Sequence, residues 1–149
     1  MTEEKKEIQE DAELDSSFND AGGNRWKVKL PLVLVDEFCD EHNITLGNFA
    51  PDKLKHSHLL TLAYRGSRWM TLAKEHPMTR AEFLNRLCDD DGNPTPAYTG
   101  AIVAAMNAVV NFTLRATVPP EKMRDAVNIV QTVRDAEMSK ANRGAGETA

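Results

Sequence analysis

The segment 98–114 is the most apolar part of the 149-residue chain and constrains the fold more than any other feature. A membrane-spanning helix needs about 20 predominantly apolar residues. The segment 98–114 is about 17 residues long and is therefore shorter than such a helix. It is also interrupted by Thr99, Gly100, Asn107, Asn111 and Thr113. We therefore predict no membrane segment. We predict instead a helix capped by Thr95 that runs to about residue 116 and forms the centre of the core.

Three helices are expected before this central helix. The first is Leu32–His42, with Pro31 in its first turn and Asn43 at its end. The second runs from an N-cap at Asp52 to about residue 75 and needs a close neighbouring helix at Gly66, which lies on its apolar face. That face also contains Leu59, Leu62, Ala63, Met70 and Ala73.

The third helix has the sharpest local start signal. Thr79 and Glu82 have the spacing of a capping box, and Met78 and Phe83 have that of a hydrophobic staple, so a helix should begin at Arg80. It presents Phe83, Leu84 and Leu87 to the core. It ends in the acidic turn 89–93, where Gly92 can adopt positive φ.

The last helix follows Pro119 and Pro120. Its apolar stripe has near-heptad spacing and consists of Met123, Ala126, Val127, Val130, Val133 and Ala136. The predicted fold class is therefore all-α. About five helices form a single compact domain over residues 25–141, with a short extended segment at residues 26–30.

Both ends are predicted to be disordered. Residues 1–24 carry eight acidic side chains against two lysines, a net charge of −6, whereas the whole chain carries −5. Phe18 is the only aromatic residue in this acidic arm, which therefore offers little apolar surface to offset its ordering entropy. The small, polar stretch 142–149 is expected to fray.

No pattern in the sequence is typical of an active site, so we predict a non-enzymatic protein without metal or cofactor. Cys39 and Cys88 are expected to be reduced core thiols. If Gly92 were the sixth residue of a calcium loop, Leu87 and Tyr98 would be its terminal ligands, and neither is a carboxylate. His56 and His58 are two residues apart, roughly 200° around a helix, and cannot share a metal.

The second helix is basic, and its charge has three interpretations. The face is simply solvated, or it docks an acidic protein segment such as the chain's own arm, or it binds nucleic acid. The negative net charge and the lack of interleaved aromatic residues make nucleic-acid binding the least expected of the three. The basic residues are Lys53, Lys55, Arg65, Arg68, Lys74 and Arg80.

The order of features resembles that of the tail assembly chaperones of long-tailed bacteriophages, over roughly residues 26–116. An extended start leads into a helix ending in FCDEHNI (residues 38–44). A long helix then reaches KEHP (residues 74–77). A capped short helix, MTRAEFLNRL (residues 78–87), closes in an acidic turn, and a helix rich in small residues follows at residues 97–114.

This resemblance implies a helical, non-catalytic protein of the host cytoplasm that is absent from the finished virion. Such chaperones bind the tape measure protein and tail tube subunits during tail morphogenesis. Many occur as a short form and a frameshifted long form, and this chain would be the short one. The acidic arm and the helix after Pro120 lie outside the resemblance.

Partner binding is expected to involve exposed helix faces, and ordinary core packing is the alternative for each apolar residue. The candidate residues are Met70, Met123, Val127, Val130, Arg65 and Arg68. Two other functions stay open. A small DNA-binding regulator or DNA-packaging subunit would use the basic face, and an adaptor would self-associate through its C-terminal helix.

Overall fold

The computed structural model of the protein describes residues 12–67 and 78–147. The chain forms two compact units. The first is Asp15–Thr113, and the second combines Met1–Leu14 with Leu114–Ala149. The described residues are mostly helical, as predicted, and they also contain one two-stranded sheet, which was not predicted. Their elements are β1 (Ser17–Asn19), β2 (Arg25–Lys27), α1 (Leu32–His42), a 3-10 turn (Leu46–Asn48), α2 (His56–Ser67), α3 (Arg80–Asn85), α4 (Pro96–Thr117), a second 3-10 turn (Pro120–Lys122) and α5 (Met123–Glu147).

The two strands form an antiparallel hairpin in which Phe18 lies opposite Trp26. Both side chains are buried in the core, so the prediction of a disordered arm is wrong for residues 12–24. Average composition hides the alternation of burial through β1 and the residues on either side of it, where Ser16, Phe18 and Asp20 are all buried. Residues 1–11 lie outside the described part of the chain.

Helix α1 has the predicted bounds. The carbonyl of Pro31 accepts a hydrogen bond from the Val35 amide at 3.1 Å and starts the helix. Asn43 ends it in the left-handed conformation, with φ of 54°, which asparagine tolerates better than most residues. The local signals on either side were therefore sufficient to place this helix.

Helix α2 begins at His56, and the predicted start at Asp52 is wrong. The amides of Lys53 and Leu54 turn back to the Ala50 carbonyl, and Leu59 makes a helical hydrogen bond to Lys55 at 3.0 Å. Leu59, Leu62, Ala63 and Gly66 are buried as predicted. Met70 and Ala73, on the same predicted face, lie outside the described residues.

The neighbour of Gly66 is an extended segment and not the helix that we predicted. The Gly66 carbonyl accepts a hydrogen bond from the Lys29 amide at 3.2 Å. A Cβ at this position would lie 2.7 Å from Cγ1 of Val28 and 2.9 Å from the carbonyl oxygen of Lys29. Glycine is required because the chain leaving β2 runs directly against α2.

Helix α3 begins at Arg80 as predicted, and the Thr79 hydroxyl accepts a hydrogen bond from the Glu82 amide at 3.2 Å. Phe83 is buried, with its ring centroid 5.8 Å from that of Trp26 and 6.2 Å from that of Phe18. The helix therefore closes the core over the hairpin. Gly92 has φ of 83° in the acidic turn that follows.

Helix α4 is the centre of the core, and small side chains line much of its buried face. Val103, at 46% exposure, shows that one side is open. By length and composition α4 could cross a membrane, and half of its apolar window is buried within the fold. The small buried residues are Ala97, Ala101, Ala104, Ala105 and Ala108.

In the second unit, α5 follows a 3-10 turn that starts at Pro120. The helix continues to Glu147, so the prediction of a disordered tail from residue 142 is wrong for residues 142–147. Arg115, near the end of α4, forms an ion pair with Glu13. This contact gives the acidic segment a second point of attachment.

Candidate protein-binding surface

Three of the residues predicted to bind a partner, Met123, Val127 and Val130, belong to α5. Met123 is buried at 6% exposure, and Val127 and Val130 are half-buried. All three side chains are less exposed than Ile129 and Val133 of the same helix. Met70 and Arg68 lie outside the described residues.

Over residues 123–137 of α5, the most exposed large apolar side chains are Ile129 and Val133, at 65% and 51% exposure. Residues four apart lie on the same side of a helix. Ala136, also exposed, continues the row at the next heptad spacing. We call Ile129, Val133 and Ala136 the exposed stripe. Val133 belongs to the predicted row, whereas Ile129 was missed because it lies beside that row.

Polar neighbours of the exposed stripe are bonded within the helix. The Thr132 hydroxyl donates to the Asn128 carbonyl at 2.8 Å, and the Gln131 side-chain amide donates to Asp135 at 3.3 Å. These side chains can remain solvated while the stripe is covered. An apolar row with a polar border is the pattern of a helix that binds another helix.

Arg65, the other predicted binding residue, is held by an internal ion pair. Its guanidinium lies 2.7 Å from a carboxylate oxygen of Glu41, and this hydrogen bond lowers the pKa of Glu41. Arg80 donates to the Thr61 hydroxyl at 3.1 Å and to the Ser57 carbonyl at 3.4 Å. These two arginines therefore tie elements of the fold together, and each has a partner within the protein.

Lys53 and Lys55 remain exposed on this side of the protein. Arg68 and Lys74, the other predicted basic residues, lie outside the described part of the chain. The described basic surface thus contains two free-standing lysines and two internally bonded arginines.

The side chain of Asp89 organises the acidic turn 89–93. An oxygen of Asp89 accepts hydrogen bonds from the amides of Asp91 and Asn93 at 3.0 and 2.9 Å. Over residues 12–67 and 78–147, no group of three or more His, Cys, Asp or Glu residues could hold a metal ion. Asp89 thus acts as a turn former.

Two potential nucleophiles are inaccessible. Burial, and then the nearby Asp36, raise the pKa of the Cys39 thiol, which keeps it protonated. The Ser67 hydroxyl is fully buried without a hydrogen-bond partner. Neither group is placed to attack a substrate.

Sequence reasoning also missed a buried carboxylate in the hairpin. Asp20 is 5% exposed and accepts hydrogen bonds from the Trp26 indole at 2.9 Å and the Asn24 amide at 2.8 Å. Arg86 of the segment after α3 lies 3.5 Å away. Burial opposes ionisation of Asp20, but these hydrogen bonds outweigh it and lower its pKa.

A second missed cluster joins α1 to α2. The rings of His42 and His58 lie 5.0 Å apart between centroids, and both contact the buried ring of Phe38. No sequence-local signal pairs two histidines that are 16 positions apart.

Comparison with known proteins finds no matching family model, no similar curated protein and no similar solved structure. A function must therefore be proposed from the surfaces described above and from the order of helices in the sequence.

Proposed function

We propose that this protein is a binding protein that holds a helical segment of a larger partner against the exposed stripe of α5. The observation that carries the proposal is the exposure of Ile129 and Val133, 65% and 51%, on one side of a long helix. Fully burying one such side chain contributes about 1.5–3 kcal/mol. Covering the exposed parts of both therefore supplies about 2–4 kcal/mol.

The helix is suited to an elongated partner. It has 25 residues, which corresponds to a length of about 37 Å at the usual helical rise. Apolar residues at positions i, i+4 and i+7 are the anchors by which one amphipathic helix recognises another. A partner helix could thus follow the stripe over two turns without requiring charged contacts.

We infer the identity of the partner from the resemblance to tail assembly chaperones. On this proposal the protein acts in the host cytoplasm, where it keeps the tape measure protein soluble and recruits tail tube subunits to it. The occupant of the exposed stripe is then a helix of the tape measure protein. Self-association through the same stripe would be seen in the test described below.

The alternative function, a small DNA-binding regulator or DNA-packaging subunit, is less well supported. A DNA-binding surface needs several Lys or Arg side chains free to approach phosphates. Arg65 and Arg80 are bonded within the protein, and the net charge of the chain is −5. The internal bonds leave Lys53 and Lys55 as the free cations of the described basic surface.

Co-expression with the tape measure protein tests the proposal. The wild-type protein should raise the soluble fraction of that partner, and the Ile129→Asp and Val133→Asp variants should lose most of the effect. Asn128→Asp is the matched control, because it adds the same charge at an exposed position of α5 outside the stripe. Circular dichroism should show equal helicity in all variants.

Two results would count against this function. The partner could remain insoluble with the wild-type protein, or the two stripe variants could behave like Asn128→Asp. A shift of duplex DNA at about 150 mM salt would favour the regulator instead. Loss of a homodimer in the stripe variants, without any effect on the partner, would assign the stripe to self-association.

A further inference from the structure

Two histidines join the end of α1 to the start of α2. His42 is the last residue of α1, and His58 lies in the first turn of α2. Their ring centroids are 5.0 Å apart, with the planes inclined by 63°. Phe38 lies beneath both rings, at 4.5 Å from His42 and 5.7 Å from His58. Since Phe38 is fully buried, the histidine pair lies on a part of the core that cannot easily move away.

The position of His58 suits a neutral ring and not a charged one. Its Nδ1 accepts a hydrogen bond from the Lys55 amide at 3.4 Å. This bond uses a ring nitrogen lone pair that an imidazolium does not have. A positive charge in the first turn of a helix is also disfavoured by the helix dipole. Protonation would therefore replace a hydrogen bond with a repulsive contact.

The charged groups that face His58 act in the same direction. His42 faces His58 from α1, and Lys55 faces it from the segment before α2. Burial lowers the pKa of His58, and His42 and Lys55 lower it further. Glu41 of α1 is paired with Arg65 of α2 and also attracts His42. That hydrogen bond lowers the pKa of Glu41, so its charge is constant across the histidine range.

We propose that His42 and His58 form an acid-sensitive latch between α1 and α2, which holds while the His58 ring is neutral and opens when acid protonates it. An unfolded histidine has a pKa of about 6.5. Because the pKa of His58 in the folded protein is lower, the unfolded chain binds more protons between these two values. The contribution of the latch to stability is thus complete above about pH 6.5 and is lost as the pH falls through the folded value.

Urea unfolding of the full chain at about pH 7.5 and about pH 5, on either side of the ordinary histidine pKa, tests the latch. The urea midpoint of the wild-type protein should fall on acidification. The fall should be smaller in His58→Gln and in His42→Gln. His56→Gln is the matched control, since His56 is exposed on the same helix, and it should follow the wild type. Parallel falls in all four proteins would overturn the proposal.

An NMR titration of the wild-type protein provides a test that does not depend on the variants folding. The His58 imidazole signals should titrate below the ordinary histidine range, and the Lys55 amide signal should move with the same midpoint because it is bonded to that ring. Titration of His58 at or above about 6.5 would overturn the latch. So would a Lys55 amide that does not respond.

Discussion

Replacing Gly66 with alanine tests whether the close approach of α2 to the segment after β2 limits the stability of the fold. The added Cβ would lie 2.7 Å from Cγ1 of Val28 and 2.9 Å from the carbonyl oxygen of Lys29. Carbon atoms in good contact are about 3.5–4.0 Å apart. Val28 is buried and the Lys29 oxygen belongs to the backbone, so neither can rotate out of the way.

Two effects oppose each other in Gly66→Ala. Alanine is favoured over glycine inside a helix by about 1 kcal/mol. Forcing an extra methyl group into a packed core costs about 1–3 kcal/mol. The shift would also weaken the hydrogen bond from the Lys29 amide to the Gly66 carbonyl, worth about 1 kcal/mol. We therefore expect a net loss of about 1–3 kcal/mol in the free energy of unfolding.

Urea unfolding followed by circular dichroism measures this loss, with Gly100→Ala as the matched control. At Gly100 of α4 the new Cβ would lie 3.4 Å from Cβ of Phe18, which is an ordinary contact. Helix propensity then dominates, and Gly100→Ala should be neutral or more stable by up to about 1 kcal/mol. The packing argument is refuted if Gly66→Ala is as stable as the wild type or if the two variants change stability equally.

Two further predictions concern α3 and the hairpin. Phe83→Ala should cost about 3 kcal/mol or more because it removes a buried aromatic ring, whereas Thr79→Ala should cost about 1 kcal/mol because it removes only a cap; equal small losses in denaturant unfolding would contradict both roles. Asp20→Asn should be less stable than the wild type at neutral pH by about 1–3 kcal/mol, since the amide cannot accept all the hydrogen bonds of the carboxylate. Because the pKa of Asp20 is lowered in the folded protein, its contribution is present above about pH 4 and lost as the pH falls through the folded value. A difference between wild type and Asp20→Asn that does not narrow on acidification would contradict this role of the carboxylate.

Elements with local start and stop signals could be predicted from the sequence. Pro31 and Asn43 set the two ends of α1 through their own backbone preferences. Thr79 likewise sets the start of α3 through a hydrogen bond to a residue three positions away. In these cases the chemistry that determines the boundary lies within a few residues of it.

The hairpin could not be predicted in this way because its stability comes from distant partners. Phe18 is buried only when it contacts Trp26 across the sheet and Phe83 of α3. Asp20 is tolerated in the interior because Trp26 and Asn24 donate to it. The composition of residues 1–24 does not contain this information, so the net charge of the segment was misleading.

The exposed stripe of α5 was predicted only in part, because the burial of its residues also depends on contacts with distant parts of the chain. Heptad spacing identified Val133 but could not determine which side of α5 packs within the protein. Met123 is buried, whereas Ile129 is exposed. Ile129 lies beside the predicted row, but Met123 and Val133 both belong to it and still differ in burial, so tertiary packing decides which residues of the row are covered.

The hydrogen bond between Asn107 of α4 and the Asp15 carbonyl has a consequence for synthesis on the ribosome. Its partners are separated by 92 positions. At a translation rate of about 5–20 residues per second, Asp15 is made about 5–20 seconds before Asn107. Until residues 80–117 have been made, Phe18 and Trp26 lack α3 and α4, the helices that complete the core around them. The nascent chain therefore presents two aromatic side chains to cellular folding factors before its own core is complete.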